Sequence, residues 1–424
     1  MSEIHWIRWI DGDAEHTARW HSETGMPAPR RVVVADDRMN ASTAHRLACE
    51  GTALLWRGDY HQARQLLQAM GRRVDRKTPT AAPSAVPSPT AAPSAVPSPT
   101  AAPSAIPSPT AAFHLQRRAS GHRARVLGRL LVPLDADHTL ALRRAPDVRA
   151  ACAEAYGPPL PTPSVVSLRE LLGVLGAYQW RAKGVDVPAL GARIHPHYGV
   201  FSPVRGEYVD LVAQAPLPGP AAHGGPAYDL GTGTGVLAAV LARRGIRHVV
   251  ATDNNPRAVA CARANVSRLG LTGQVEIATG GDLFPPGRAA LVVCNPPWLP
   301  AKPNSALEQG VYDPKGAMLH AFLTGLAEHL LPGGEGWLIM SDLAEHLGLR
   351  APGELGGAIT AAGLHVAARI DTRPHHPRAA DPADPLHAAR AAEVTSLWRL
   401  TAGPPEGSPA APPPGPARSP APGS

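Results

Sequence analysis

Asp229-Leu230-Gly231-Thr232-Gly233-Thr234-Gly235 follows an apolar lead-in and precedes Val236, Leu237, Val240 and Leu241 at helical spacing, so this stretch reads as strand, turn and helix. Glycines let a backbone adopt positive φ and pass close to a ligand, and the free N–H groups of the helix start favour a carboxylate or another anion. A dinucleotide fingerprint needs glycine at the sixth position of Gly-x-Gly-x-x-Gly. Counted from Gly231 that position is Val236, so the spacing excludes it. No Walker-type Gly-Lys-Ser/Thr follows either.

Working outward, the predicted strand Arg247 to Thr252 ends in Asp253, 18 positions past Gly235, where a carboxylate can accept two ribose hydroxyls while also serving as a helix cap. Asn254 stands beside it. A further strand, Val275 to Thr279, leads into Gly280-Gly281-Asp282-Leu283-Phe284. There Asp282 is expected to accept from an adenine amino group, with Leu283 and Phe284 packing nearby.

The apolar run Ala289 to Cys294 has the length and composition of a buried parallel strand, and it delivers Asn295-Pro296-Pro297-Trp298 to its carboxyl end. An amide or exocyclic amine nitrogen is a poor nucleophile because its lone pair is delocalised. A site that activates one must orient its hydrogens and accept them as the nitrogen becomes tetrahedral. The Asn295 side-chain oxygen and the Pro296 carbonyl suit that task, the prolines stiffen the loop, and Trp298 offers a flat face to a planar substrate.

With these residues in place, the segment from about His195 to Leu400 resembles the class I methyltransferases. It is most similar to the HemK-like protein-glutamine N5-methyltransferases that modify release factors or a ribosomal protein. The resemblance implies an α/β fold with a Rossmann-like seven-stranded sheet, one strand antiparallel near the edge, and a substrate-recognising helical domain ahead of it. It also implies S-adenosylmethionine as cofactor, held by Asp229, Gly231, Thr232, Gly233, Gly235, Asp253, Asn254, Asp282, Leu283 and Asn295. Asn295, Pro296 and Trp298 become catalytic, and Pro297 and Glu207 join them around the acceptor. Two departures stand out. Trp298 replaces the family's usual tyrosine, and Tyr198 to Tyr208 replaces its usual upstream motif. Gly199 to Ser202 instead resembles the ribosomal-RNA guanine-N2 methyltransferases. The expected acceptor is therefore a glutamine amide of a translation protein. The alternatives are an adenine or guanine amine in RNA or DNA, and a module that binds cofactor without catalysis.

Downstream, Ala317 to Leu331 reads as a helix ended by Pro332-Gly333-Gly334, followed by a strand at Trp337 to Met340, a helix at Gly356 to Ala362 and strands at His365 to Ile370 and Glu393 to Leu400. Upstream, residues 1–79 read as a helical region, with a hairpin of Ser42 to Arg57 and Tyr60 to Val74. Residues 80–112 contain the decapeptide Ala-Ala-Pro-Ser-Ala-Val-Pro-Ser-Pro-Thr in three near-identical copies, a composition that cannot form a core and reads as an extended spacer. Residues 113–190 complete the helical domain with His114 to Leu131 and Ser167 to Tyr178. The catalytic domain then occupies 191–402, and 403–424 form a tail of spacer-like composition. Arg117, Arg118, Arg123, Arg125 and Arg129 read first as a solvated helix face, and second as an RNA or ribosome contact.

The net charge of +7 is carried by arginine, since the chain has four lysines, and the joint excess of Arg, Ala, Pro and Gly has the look of a GC-rich genome rather than of nucleic-acid binding. Four scattered cysteines form no Cys-x-x-Cys pair and suit a reducing cytosol. His195 with His197, and His375 with His376, read as loop histidines, so no metal is expected. The chain shows neither a signal peptide nor an apolar run of about 18 residues, so a cytoplasmic protein off the membrane is expected. Its oligomeric state is not encoded in any motif.

Overall fold

The computed structural model describes residues 5–77, 107–204, 206–278, 281–303, 307–375 and 381–403. Two sheets organise it. The larger has seven strands: β9 (Ala227–Leu230), β10 (Val249–Thr252), β11 (Val275–Ile277), β12 (Ala289–Cys294), β13 (Leu330–Ser341), β14 (Leu364–Thr372) and β15 (Thr395–Ala402), in the order β11-β10-β9-β12-β13-β15-β14. Neighbours from β11 to β13 run parallel, and β15 is antiparallel to both β13 and β14. This is the expected sheet, antiparallel strand included.

Every residue of β9, β10 and β12 is buried, as a sheet covered on both faces requires. One face packs on the helices Val236–Arg243 and Glu207–Gln214, the other on Ala317–Leu326 and Glu354–Ala361. The antiparallel strand is locked in register by Glu335, which accepts two bonds from Arg399 (2.7 Å each) and one from Trp337 Nε1 (2.9 Å).

The helix expected over Ala317 to Leu331 stops at Leu326. A short 3₁₀ turn follows, and β13 begins at Leu330, so Pro332-Gly333-Gly334 lies inside the strand beside a bulge. Gly333, at φ +72°, supplies the irregular backbone there.

The N-terminal unit is not helical. It is built on a six-stranded mixed sheet, β1 (Trp6–Asp11), β2 (Ala14–Trp20), β3 (Val32–Ala35), β4 (Ala53–Trp56), β5 (Leu130–Leu134) and β6 (Ser164–Ser167), ordered β1-β2-β6-β5-β4-β3. One face buries Ile7, Trp9, Trp20, Leu55 and Leu131, and the helices Ala41–Cys49, Tyr60–Lys77, Pro109–Leu127 and Leu168–Lys183 cover the other. The expected helix Ser42 to Arg57 ends at Cys49, because Gly51 takes φ +87° and turns the chain into β4. Ala53-Leu54-Leu55-Trp56, four buried residues, is a central strand whose short apolar run periodicity cannot tell from a helix.

The helix assigned to His114 to Leu131 in fact runs from Pro109 to Leu127, with the Ser108 hydroxyl accepting from the Ala111 N–H at its start, and Leu130 and Leu131 belong to β5. Residues 78–106 and the tail from 404 lie outside the described residues, but the last decapeptide copy ends at Thr110 inside this helix, so the spacer expected over 80–112 gives way to helix from Pro109. A two-stranded ribbon, β7 (Val185–Val187) with β8 (Ala192–Ile194), joins the two units. Among the described residues no helix is long and apolar enough to cross a membrane.

Candidate active site

Strand order sets the location. From β9 the chain moves outward to β10 and β11, then returns to place β12 on the other side of β9. Loops leaving β9 and β12 at their carboxyl ends therefore diverge, and open α/β sheets hold their ligands at such a switch point. Register sharpens this. Leu230 is level with Thr252 on one side and with Cys294 on the other. The next residues, Asp253, Gly231 and Asn295, thus form one row across the carboxyl edge, and at ~4.8 Å per strand the outer two are about 10 Å apart. The row fronts a cavity of about 430 Å³.

The glycine turn forms its floor. Gly231, Gly233 and Gly235 take φ of +69°, +55° and +80°, values that favour glycine. A Cβ on Gly231 would meet Met318 Cε at 2.5 Å, and one on Gly235 would press on the Ala262 backbone at 3.2 Å. Gly235 is therefore needed for helix packing and Gly231 for room beside the cavity. Asp229 braces the turn from below: its Oδ2 accepts from Thr232 Oγ1 (2.6 Å) and from the Ala238 N–H (2.9 Å). Burial raises its carboxyl to about 6 against those bonds. Fully buried, Asp229 does not line the cavity. It supports the binding turn rather than forming its surface, which corrects the contact role expected for it.

Asp253 is half-buried at the cavity wall, with Oδ2 accepting from the Gly233 N–H and Oδ1 from the Asn255 N–H, both at 2.9 Å. Each oxygen keeps acceptor capacity for a diol, because a carboxylate has about four lone-pair sites. Desolvation is the largest influence on this carboxyl and pushes it above the ordinary value. Asn254, Asp282 and Leu283 also line the cavity, and the Leu283 carbonyl is held by Thr252 Oγ1 at 2.8 Å. Phe284 does not reach it. Its ring stacks on His329 (4.2 Å between centroids) and Phe322 (6.4 Å), half-buried at the edge of the core.

At the far end of the row Asn295 and Pro297 line the cavity, while Pro296 is buried behind them. Trp298 is half-buried against both core faces, and its indole N–H donates to Asn295 Oδ1 at 2.9 Å. Its ring packs against both clusters and is not among the residues that front the cavity. An indole N–H only donates, so this contact settles which end of the carboxamide is oxygen and leaves that oxygen a second lone pair. Cys294, fully buried, has its thiol pushed well up by desolvation, which suits packing. Glu207 is buried in the first turn of its helix and lies outside the wall, where the neighbouring Tyr208 stands instead.

Two further groups of residues line the cavity. Gly199, Val200 and Phe201 come from the segment that departs from the resembled family, whereas Gln309, Gly310 and Asp313, from the connection before the helix Ala317–Leu326, and Met318, in the first turn of that helix, carried no motif to find them by. Asp313 is buried and caps that helix through Oδ2 on the Met318 N–H at 2.7 Å. Among the described residues no three His, Cys, Asp or Glu side chains gather as a metal site would need.

A switch-point cavity with a glycine turn, an acid at the next strand end and an oriented Asn-Pro-Pro is similar to the cofactor end of the class I methyltransferases. Residues 191–349 match the family described as methyltransferase small domain. A release factor glutamine methyltransferase of Cereibacter sphaeroides is 34% identical over 160 residues, covering 34% of this chain and 54% of that protein. A ribosomal protein L11 methyltransferase of Pelotomaculum thermopropionicum is 48% identical over 73 residues, 17% of this chain and 24% of that protein. A ribosomal RNA small subunit methyltransferase C of Pseudomonas aeruginosa is 36% identical over 124 residues, 29% of this chain and 34% of that protein. The chain spans about half or less of the length of these relatives.

Proposed function

We propose that this chain transfers a methyl group from S-adenosylmethionine to the side-chain amide nitrogen of a glutamine in a protein of the translation machinery. The observation that carries the reading is the Asn295 carboxamide oxygen, oriented by Trp298 and in one row with Gly231 and Asp253.

The residues present fit the cofactor. The turn amides at Gly231 to Gly235 suit its carboxylate, Asp253 its ribose diol, and Asp282 with Leu283 its base, in a cavity that a side chain on Gly231 would invade. When bound, S-adenosylmethionine supplies an electrophilic methyl and leaves as a neutral thioether. The protein's part is on the nitrogen. Asn295 Oδ1 and the Pro296 carbonyl accept its two N–H bonds, which turns the lone pair out of conjugation and toward the methyl, and one proton then departs to solvent. No residue needs to act as a strong base before attack.

The second reading, an adenine or guanine amine in RNA or DNA, draws on the lining segment Gly199 to Phe201 and on the named ribosomal-RNA relative. The helix arginines weaken it. Arg117 and Arg123 are engaged within the protein, by Lys302, Glu308 and Tyr312 and by Asp75 respectively. A module that binds cofactor without catalysis leaves the second lone pair of the oriented Asn295 oxygen without an acceptor hydrogen to receive.

The test is incubation of the purified chain with methyl-labelled S-adenosylmethionine and extract from cells lacking its gene, followed by protease or nuclease. Label lost with protease supports the glutamine reading. Label lost with nuclease replaces it with the nucleobase reading, and no label at all leaves the non-catalytic one.

A further inference from the structure

The helix Pro109–Leu127 belongs to the N-terminal unit at one end and to the methyltransferase domain at the other. Its 19 residues span ~28 Å at 1.5 Å each. Val126 and Leu127 are buried in the N-terminal core, and Arg123 pairs with Asp75 at 2.8 Å. The first turns leave that unit. Phe113, 2% exposed, seats among Leu299, Leu343, Leu347 and Leu386, and Thr110 Oγ1 donates to the Leu347 carbonyl at 2.9 Å. One turn on, the Arg117 guanidinium lies 4.1 Å from the Tyr312 ring centroid, donates to the Lys302 carbonyl at 2.6 Å and sits 3.6 Å from Glu308.

All of these Arg117 partners lie on one loop, and that loop walls the cavity. It leaves directly from Trp298 and returns at Asp313. Its neck closes by the Leu299 N–H on the Val311 carbonyl (3.2 Å) and the Asp313 N–H on the Leu299 carbonyl (3.0 Å). Gln309, Gly310 and Asp313 face the cavity, whereas Tyr312 turns outward to meet Arg117. A half-buried guanidinium over an aromatic face, with a second bond to the backbone across the neck, holds both limbs at once.

We propose that Arg117 is a positioning residue: from the N-terminal unit it fixes, through Tyr312, the 308–313 limb that walls the cavity beside Asn295.

The test compares Arg117→Ala, Tyr312→Leu and Tyr312→Phe in the full chain by amide hydrogen exchange, by calorimetry with S-adenosylhomocysteine and by labelled-methyl transfer into the extract described above. Arg117→Ala and Tyr312→Leu are expected to accelerate exchange at 308–313 roughly tenfold, equivalent to about 1.4 kcal/mol. Exchange over 227–253 stays as in the parent, S-adenosylhomocysteine affinity stays within about twofold, and methyl transfer falls roughly tenfold. Tyr312→Phe keeps the ring face and behaves as the parent. Unchanged exchange at 308–313, uniform acceleration along the whole chain, or a loosened loop with transfer intact would each overturn the proposal. Its activity arm rests on the methyl-transfer reading. If the parent transfers no label that reading fails, and the exchange arm still decides whether Arg117 holds the loop.

Discussion

Trp298 donates its indole N–H to the side-chain oxygen of Asn295 across 2.9 Å, so the residue that departs from the resembled family's tyrosine orients the group expected to receive the substrate's hydrogen. Trp298→Phe keeps the apolar ring and removes the donor. With the carboxamide free to flip, methyl transfer should fall roughly tenfold, the worth of one hydrogen bond of about 1.4 kcal/mol. S-adenosylhomocysteine affinity should not change. Calorimetry and transfer on the same preparation check this, and equal losses in both would place Trp298 in cofactor binding instead.

Asp229 predicts a pH dependence of stability. Burial raises its folded carboxyl from 3.8 to about 6, so its contribution is fully present below about 3.8 and is lost as pH rises through about 6. Asp229→Asn does not titrate. The Tm of the parent minus that of Asp229→Asn should therefore decline between pH 4 and pH 7, as read by calorimetric scans. A difference that stays flat or grows would mean that the bonds from Thr232 and Ala238 outweigh desolvation.

Two glycines of one turn should fail differently. Gly235→Ala forces a side chain at φ +80° against the Ala262 backbone, 3.2 Å away, and should cost about 1–3 kcal/mol of stability. Gly231→Ala meets the flexible end of Met318 at 2.5 Å beside the cavity. There the Tm should fall less, while S-adenosylhomocysteine affinity falls roughly tenfold or more. Urea denaturation with calorimetry separates the two.

Glu335 stands under Arg399 and Trp337 at 2.7–2.9 Å, in a strand pair whose register puts Trp337 opposite Arg399. Glu335→Ala leaves a largely buried guanidinium and an indole N–H without their acceptor and should destabilise the chain by ~3 kcal/mol. The double variant Glu335→Leu with Arg399→Met should regain much of that loss. Urea midpoints decide, and additive losses in the double variant would contradict the account.

The methyltransferase domain was legible because local chemistry and topology coincide there. Gly231 to Gly235 need positive φ, Asp253 and Asn295 end buried strands, and parallel register then aligns them without further instruction. The N-terminal unit was legible only in part. In β1 the buried Ile7 and Trp9 alternate with exposed Trp6, Arg8 and Ile10, a strand signal present in the residues but masked by apolar side chains on both faces. Ala53 to Trp56 is too short for periodicity to assign. Gln309 and Asp313 reach the cavity from a loop that packs against Phe113 and Arg117, nearly two hundred positions earlier, and nothing local in the chain announces that contact.

The most direct test of the central claim is methyl transfer by Asn295→Ala beside the parent, with S-adenosylhomocysteine binding measured on both. The account predicts that the parent labels a protease-sensitive acceptor. The variant should bind S-adenosylhomocysteine within about twofold of the parent and lose methyl transfer by roughly a hundredfold or more. Transfer by Asn295→Ala at the parent's rate would contradict it.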